Sequence, residues 1–430
     1  MRHAPISSKL FTENRARLTK LLLPNAVAIV NANDILPTNA DGSLRIHPNS
    51  DLFYLTGVEQ EESILLLAPN ASDEKLREIL FLRETNDHIK VWEGHKHTKE
   101  EAQKISGIRQ VKWLTEFQGI FHRLMCESEH VYLNRNEHNR AAQEVQTRDD
   151  RFVSDCRTRY PLHHYQRLAP LLRQLRVAKS EAEQELIRHA CAITRAGFLR
   201  VLRVVKPGVN EADIEAEFAR EFIRRRGAFA YTPIIAAGAN SCILHYIQND
   251  QPCRKGEVLL LDVAANYANY NADLTRTIPV SGRFTRRQRR VYDTVLRVLR
   301  AMTKAATPGK LSRDWQKEAE ALMTDELLAL GLLKPRDVKK QDPDKPACKK
   351  YFNHGLGHPL GLDVHDVVLP SQPFAPGWVL TVEPGIYIPD EGFGVRLEND
   401  VLITENGTVD LMADIPIEAD EIESLMSRNR

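Results

Sequence analysis

The stretch Asn353-His354-Gly355-Leu356-Gly357-His358-Pro359-Leu360-Gly361-Leu362-Asp363-Val364-His365-Asp366 decides how this chain is read. Its three histidines lie among glycines and a proline, so the backbone can bend to aim imidazoles while Pro359 disfavours a regular helix through His358. His354-x-x-x-His358 has the spacing of two metal-binding histidines on one helix face. Gly355, however, stands where such a helix carries its glutamate, so this is a different kind of site. Neutral imidazole is a common metal ligand and a proton shuttle near neutral pH. One histidine here would read as structural; three read as part of a site whose other members lie elsewhere in the chain.

Working outward, the helix signals come in pairs. Ser180-Glu181-Ala182-Glu183 is a capping box, and Leu186, Ile187, Ala190, Ile193 and Gly197 fall on one helical face behind it. A second helix comes after Lys206-Pro207-Gly208, opening at Asn210 and stopping at Gly227. Thr285-x-x-Gln288 opens another box, that helix ends at Thr307-Pro308-Gly309, and a further helix runs through Trp315, Ala319 and Leu322 to Gly331. The segments downstream of the two helix pairs also match: Gly256-Glu257-Val258-Leu259-Leu260-Leu261-Asp262 and Gly377-Trp378-Val379-Leu380-Thr381-Val382-Glu383 share Gly-x-Val-Leu-x-x-acid. His245 stands 11 residues before the first glycine and His365 stands 12 before the second. Second acids, Asp273 and Glu398, stand further downstream. A duplicated half with pseudo-twofold symmetry is therefore expected, each half giving one histidine and two carboxylates to a shared centre.

Val258 to Ala264 reads as a buried strand, and Tyr267 to Val280 can return beside it. A turn near Asn266-Tyr267 would set Asp262 and Asp273 nearly opposite each other, about 5 Å apart. Glu398 lies in a run from Val395 to Ile403 whose alternation puts Arg396 and Glu398 on one strand face. Four carboxylates meeting in one cavity cost several kcal/mol per close pair at an effective dielectric of about 20. Two divalent cations would balance Asp262, Asp273, Glu383 and Glu398, with one histidine completing the set. An oxygen-rich ligand set prefers Mn²⁺, with Zn²⁺, Co²⁺ or Fe²⁺ also compatible. Paired metals roughly 3.5–4 Å apart can share a water, lower its pKa and deliver hydroxide to a carbonyl that one of them polarises. Hydrolysis is the expected chemistry.

The rest of the chain sets bounds. Its 430 residues suffice for two domains, and 59 basic against 58 acidic side chains leave no global field for nucleic acid or an anionic membrane. The local exception, Arg283, Arg286, Arg287, Arg289 and Arg290, reads as a solvated helix start. Cys126, Cys156, Cys191, Cys242, Cys253 and Cys348 are dispersed, with no CxxC pair, which argues against a zinc ribbon or disulfide framework. No apolar run approaches membrane length and no signal-peptide core comes after Met1, so a cytoplasmic address is expected; residues 1–12, basic and without acids, leave room for a short organelle leader. Residues 1 to about 160 read as α/β, with strands at Ala26 to Val30, Phe53 to Leu55, Ser63 to Leu67 and Ile79 to Leu82, and helices at Lys99 to Lys104 and Glu116 to Cys126. Asn49 to Gly57 reads as a turn leading into a buried aromatic strand.

These residues resemble the aminopeptidase P and prolidase branch of the pita-bread metallopeptidases. The matching motifs are Ile243-Leu244-His245-Tyr246, Leu261-Asp262, Ala272-Asp273-Leu274-Thr275-Arg276-Thr277, His354 through His358 to Asp366, Thr381-Val382-Glu383-Pro384-Gly385-Ile386-Tyr387 and Arg396-Leu397-Glu398. The resemblance implies that Asp273 and Glu398 bridge two metals, Asp262 binds one, and His358 and Glu383 bind the other. It implies that His365 and His245 flank the scissile carbonyl, that Glu383 carries a proton to the leaving nitrogen, and that His354 and Arg396 support the ligands or touch substrate. A proline nitrogen has no hydrogen of its own and leaves only when protonated, and a pocket shaped for its ring excludes ordinary peptides.

The implied architecture is a creatinase-type α/β domain over residues 1–165 and a catalytic pita-bread domain, duplicated α+β, over residues 175–430. Val91-Trp92-Glu93-Gly94 falls where such enzymes carry an aromatic segment that reaches a neighbouring subunit, and a homodimer or homotetramer is implied by the resemblance alone. Asp262-Val263-Ala264 and Pro359 depart from the familiar pattern. The implied activity is an Xaa-Pro aminopeptidase acting on proline-containing peptides with a free N-terminus. Prolidase, restricted to Xaa-Pro dipeptides, uses the same ligands; a methionine aminopeptidase leaves the N-terminal region unexplained. A metal-free creatinase-like enzyme or a non-catalytic peptide-binding module would have eroded ligand positions, and here all five stand.

Overall fold

A computed structural model describes residues 3–141, 144–342 and 345–427. Met1 and Arg2, which begin the stretch considered as a leader, lie outside the described residues. The chain packs as two compact units, His3–Arg176 and Val177 onward.

The first unit is built on one sheet with strand order β4-β3-β2-β1-β5-β6. Its strands are β1 (Ala26–Asn31), β2 (Ile64–Leu67), β3 (Glu78–Leu82), β4 (Gln110–Trp113), β5 (His130–Leu133) and β6 (His164–Arg167). Alternate side chains Val27 and Ile29, Ile64 and Leu66, and Ile79 and Phe81 share one face. They bury against Phe117, Phe121 and Leu124 of helix Phe117–Glu127.

The expected strand at Phe53 to Leu55 is instead part of helix Ser50–Thr56. The Asn49 side chain accepts from the backbone N–H of Asp51 and Leu52, and Gly57, at φ +68°, closes the other end. Leu52, Phe53, Tyr54 and Leu55 are all buried, so the run carries no periodicity and its caps decide the outcome. Val91 and Trp92 stand exposed on the short helix Asp87–Glu93.

In the second unit helix Glu181–Val201 packs on helix Glu211–Arg224, and helix Arg286–Ala305 on helix Ser312–Ala329, with the expected capping boxes at Ser180 and Thr285. After the first pair come β7 (Ala228–Phe229), β8 (Ile234–Ala237), β9 (Val258–Asp262), β10 (Ala265–Tyr267), β11 (Tyr270–Asn271) and β12 (Thr275–Pro279). After the second come β13 (Val379–Val382), β14 (Gly385–Ile388), β15 (Phe393–Arg396), β16 (Asn399–Thr404) and β17 (Gly407–Asp410).

Each half therefore runs strand, hairpin, return strand: β9, β10–β11, β12 against β13, β14–β15, β16. The expected duplication is present, and the arginines between Arg283 and Arg290 lie at a helix start, where Arg287 pairs with Glu391 and Arg289 with Asp293 and Asp420. No helix of the described residues is long and apolar enough to cross a membrane.

Candidate metal centre

The first half brings its two aspartates together by register. β9 and β12 pair so that Asp262 faces Thr275. The turn between them is at Ala268 and Asn269, both in the left-handed region at φ 51° and 67°, rather than at Asn266-Tyr267. That shift moves Asp273 from nearly opposite Asp262 to the diagonal on the same face, so cross-strand pairing alone does not join the two carboxyls. Tyr231 joins them: its Oη lies 2.6 Å from Asp262 Oδ1 and 2.6 Å from Asp273 Oδ1. A phenol has one proton to give, so both bonds form only if one carboxyl keeps its own. Burial, and then the Asp262 charge, push Asp273 well above the carboxylate range.

The second half repeats the placement with a break. Glu383 comes directly after β13 and Glu398 directly before β16. The expected continuous strand from Val395 to Ile403 is interrupted at Leu397 and Glu398, because their N–H groups donate to Pro384 O and Thr275 O at 3.3 and 3.0 Å. Arg396 therefore ends one hairpin and Glu398 opens the next strand. Thr275 links them, its Oγ1 donating to Glu398 Oε2 at 2.7 Å and accepting from Arg396 Nε at 3.1 Å. Arg396 Nη2 also reaches Asp262 Oδ2 at 2.5 Å, tying the two halves across the centre. Burial and the neighbouring Asp273 push Glu398 well above its ordinary range. Such a donor set, acidic and short of compensating charge, suits cations.

The histidines are set by the segment ahead of β13. Leu356 to Leu360 lies antiparallel to that strand, with Glu383 N–H, Thr381 N–H and Leu360 N–H bonded to Leu356 O, His358 O and Val379 O. Gly357 permits this: a Cβ there would sit 2.0 Å from Thr381 O. His358 Nδ1 donates to Pro359 O at 3.0 Å, which fixes the tautomer and leaves Nε2 as a lone pair. That Nε2 lies 3.5 Å from Asp273 Oδ2 and 3.7 Å from Glu383 Oε1. The ligand atoms of Asp273, His358 and Glu398 all fall within 4.8 Å of one another.

His354 occupies a different environment. Its Nδ1 donates to Gly355 O at 2.7 Å and its Nε2 accepts from Tyr387 Oη at 2.8 Å, while Tyr387 accepts from Arg396 Nη1 at 2.9 Å. Burial, then the Arg396 charge, pushes His354 down to about 3, so it stays neutral. His365, exposed, stacks on His358 with ring centroids 3.9 Å apart. His245 is exposed on the turn after Gly238–Cys242, near enough for its charge to depress His354. The loop carrying His365 is held by a buried ion pair, Lys179 Nζ to Asp366 Oδ2 at 2.9 Å.

Three contributors were not read from the sequence. Tyr231 carries no local signal. Asp400, buried, accepts from Asp273 N–H at 3.0 Å and from Cys191 Sγ at 3.6 Å; it continues the Arg396, Glu398 alternation, which is the signal that could have found it. Arg276, also buried, donates to Glu398 O at 2.7 Å and Asn399 Oδ1 at 2.8 Å, holding the backbone that aims Glu398.

Two family models match separate stretches of the chain. Residues 185–405 match the model of metallopeptidase family M24, and residues 11–132 match the aminopeptidase P N-terminal domain. The chain is 32% identical to an Xaa-Pro aminopeptidase of Haemophilus influenzae over 99% of this chain and 98% of that protein. It is 32% identical to Xaa-Pro aminopeptidase 3 of Homo sapiens over 93% of this chain and 80% of that protein. The zinc-substituted aminopeptidase P of E. coli in complex with product superposes with a TM-score of 0.88 at 31% identity, covering 99% and 100% of the two chains.

Proposed function

The chain belongs to metallopeptidase family M24 and is a metal-dependent aminopeptidase, and from that premise we propose that it cuts the bond between a first residue and a following proline. The observation that carries the reading is the meeting of Asp262, Asp273, His358, Glu383 and Glu398 from both halves of one unit. Asp273 and Glu398 would lie between two divalent ions, Mn²⁺ by preference, with Asp262 on one and His358 and Glu383 on the other. When bound, such ions supply the Lewis acidity that acidifies a water and polarises a carbonyl.

The chain's own groups do the rest. Tyr231 and Arg396 hold Asp262 from two sides, so that carboxylate keeps one orientation. His358 enters with its tautomer already chosen by Pro359 O. Glu383, half-buried and 3.7 Å from His358 Nε2, would hand a proton to the proline nitrogen, which must be protonated to leave. His365, stacked on His358, and His245 would donate to the carbonyl oxygen as charge develops on it. His354, neutral and bonded at both ring nitrogens, positions Tyr387 and Arg396 instead of transferring protons.

The substrates in this reading are peptides with a free N-terminus. The six cysteines, all free thiols, suit a reducing, cytoplasmic compartment, and we take the chain to act as a homodimer or homotetramer by family likeness. The test compares an Xaa-Pro dipeptide with an Xaa-Pro-Xaa tripeptide, using metal-stripped and Mn²⁺-restored protein. Metal-dependent release of the first residue from the tripeptide is expected; cleavage of the dipeptide alone would make the chain a prolidase.

A further inference from the structure

A second group of ligating side chains lies far from this chemistry in sequence, in the first unit. His95, His97 and Glu101 each present one ligand atom, and the three atoms fall within 4.8 Å of one another. His95 Nε2 is 3.0 Å from Glu101 Oε2, and His97 Nδ1 is 3.9 Å from the same oxygen. We propose that His95, His97 and Glu101 form a peripheral binding site for a divalent transition metal, of which Zn²⁺ is the natural probe.

The geometry is compatible with a bound ion. Zinc bonds of about 2.0–2.1 Å to nitrogen or oxygen place tetrahedral ligand atoms roughly 3.3–3.5 Å apart, so the two imidazole-to-carboxylate distances, 3.0 and 3.9 Å, lie within about half an ångström of their bound values. Two anchors keep it there. Thr98 N–H donates to Glu101 Oε2 at 2.9 Å while Glu101 N–H donates to Thr98 Oγ1 at 3.2 Å, a reciprocal cap that orients the carboxylate from behind. His97 N–H donates to Gln60 Oε1 at 2.7 Å, fixing the backbone between the two imidazoles. His95 is the adjustable member, with its side chain 57% exposed, so it can close the remaining distance without disturbing the fold.

Neighbouring charges do not compete for the place. Lys96 is engaged by Glu61, and Lys99 lies between Glu116 and the Trp113 ring. Glu100 adds a further negative charge to the first turn of the helix. Two imidazoles with one carboxylate favour zinc, nickel or copper over manganese, so this site and an oxygen-rich centre would sort different ions. Three protein ligands leave one tetrahedral position to water, and occupancy would tie the segment after Gly94 to the helix that starts at Lys99.

The test is equilibrium dialysis of the metal-stripped full chain against micromolar free Zn²⁺, comparing wild type with His95→Ala/His97→Ala. The variant should bind one equivalent fewer while its peptidase activity at saturating Mn²⁺ is unchanged; equal stoichiometry in the two proteins would overturn the assignment. His95→Gln guards against a folding artefact, because the ring is exposed. It should weaken that same equivalent at least tenfold with the metal-free melting temperature unchanged, and undiminished affinity would remove His95 from the site.

Discussion

The two halves of the second unit share a backbone plan and differ in what they hang on it. In both, a first acid stands at or just past the end of a strand, a hairpin comes next, and a second acid stands just ahead of the return strand: Asp262 and Asp273 in one, Glu383 and Glu398 in the other. In both, a segment runs antiparallel beside the first strand. In the first half that segment is β8, where Ala236 faces Leu260. In the second it is Leu356 to Leu360, where His358 bonds across to Thr381, two positions before the acid just as Leu260 is. A small apolar residue and a metal-ligand candidate thus occupy equivalent places. The first half has Tyr231, just ahead of β8, which bonds to both aspartates. Duplication explains the paired carboxylates, and divergence explains why the ligand-candidate imidazole, His358, comes from the second half alone.

If the acids act as equivalents, the strongest way to break the comparison is to neutralise the inner pair. Asp273→Asn and Glu398→Gln should each lower turnover of an Xaa-Pro-Xaa peptide by roughly a thousandfold or more with the far-ultraviolet circular dichroism unchanged. A loss in one variant and near-normal turnover in the other would show that the halves are not equivalent.

The next effect concerns the half with the histidine loop. Lys179→Met leaves Asp366 buried without that cation and should destabilise the second unit by about 3–5 kcal/mol in urea unfolding. Lys179→Met/Asp366→Leu should recover most of it, since the uncompensated charge is then gone. Failure to recover would mean that the pair does more than neutralise itself.

Tyr231→Phe sharpens the comparison from the other side. It removes a hydroxyl that joins the first half's aspartates, and should weaken metal binding about 10- to 100-fold in a titration of the stripped protein.

The smallest expected effect is in the pH dependence of stability. His354 is held near 3 when folded and titrates near 6.5 when unfolded, so between those values the unfolded chain binds more protons. Its contribution therefore makes stability rise with pH across that window and fall on acidification below about 6.5. His354→Gln should flatten the acid side of the unfolding midpoint against pH.

Much of this was legible in the residues. The capping boxes at Ser180 and Thr285 have local signals, and the repeated Gly-x-Val-Leu-x-x-acid pattern revealed the duplication without coordinates. What escaped was set by non-local contacts. Leu52 to Leu55 is buried on every side of its helix, so that helix is chosen by Asn49 and Gly57 at the ends. The turn at Ala268 and Asn269 has no glycine to mark it, and the break at Leu397 and Glu398 is made by carbonyls of Pro384 and Thr275, distant in sequence. Tyr231 and Asp400 act through partners that only folding brings near.

The most direct test of the account is to titrate metal-stripped protein with Mn²⁺ while tracking both bound metal and release of the first residue from an Xaa-Pro-Xaa peptide. Two halves that close one centre predict activity that depends on metal and reaches its maximum at two equivalents per chain. Full activity in the stripped protein, or no release at any Mn²⁺ level, would contradict it.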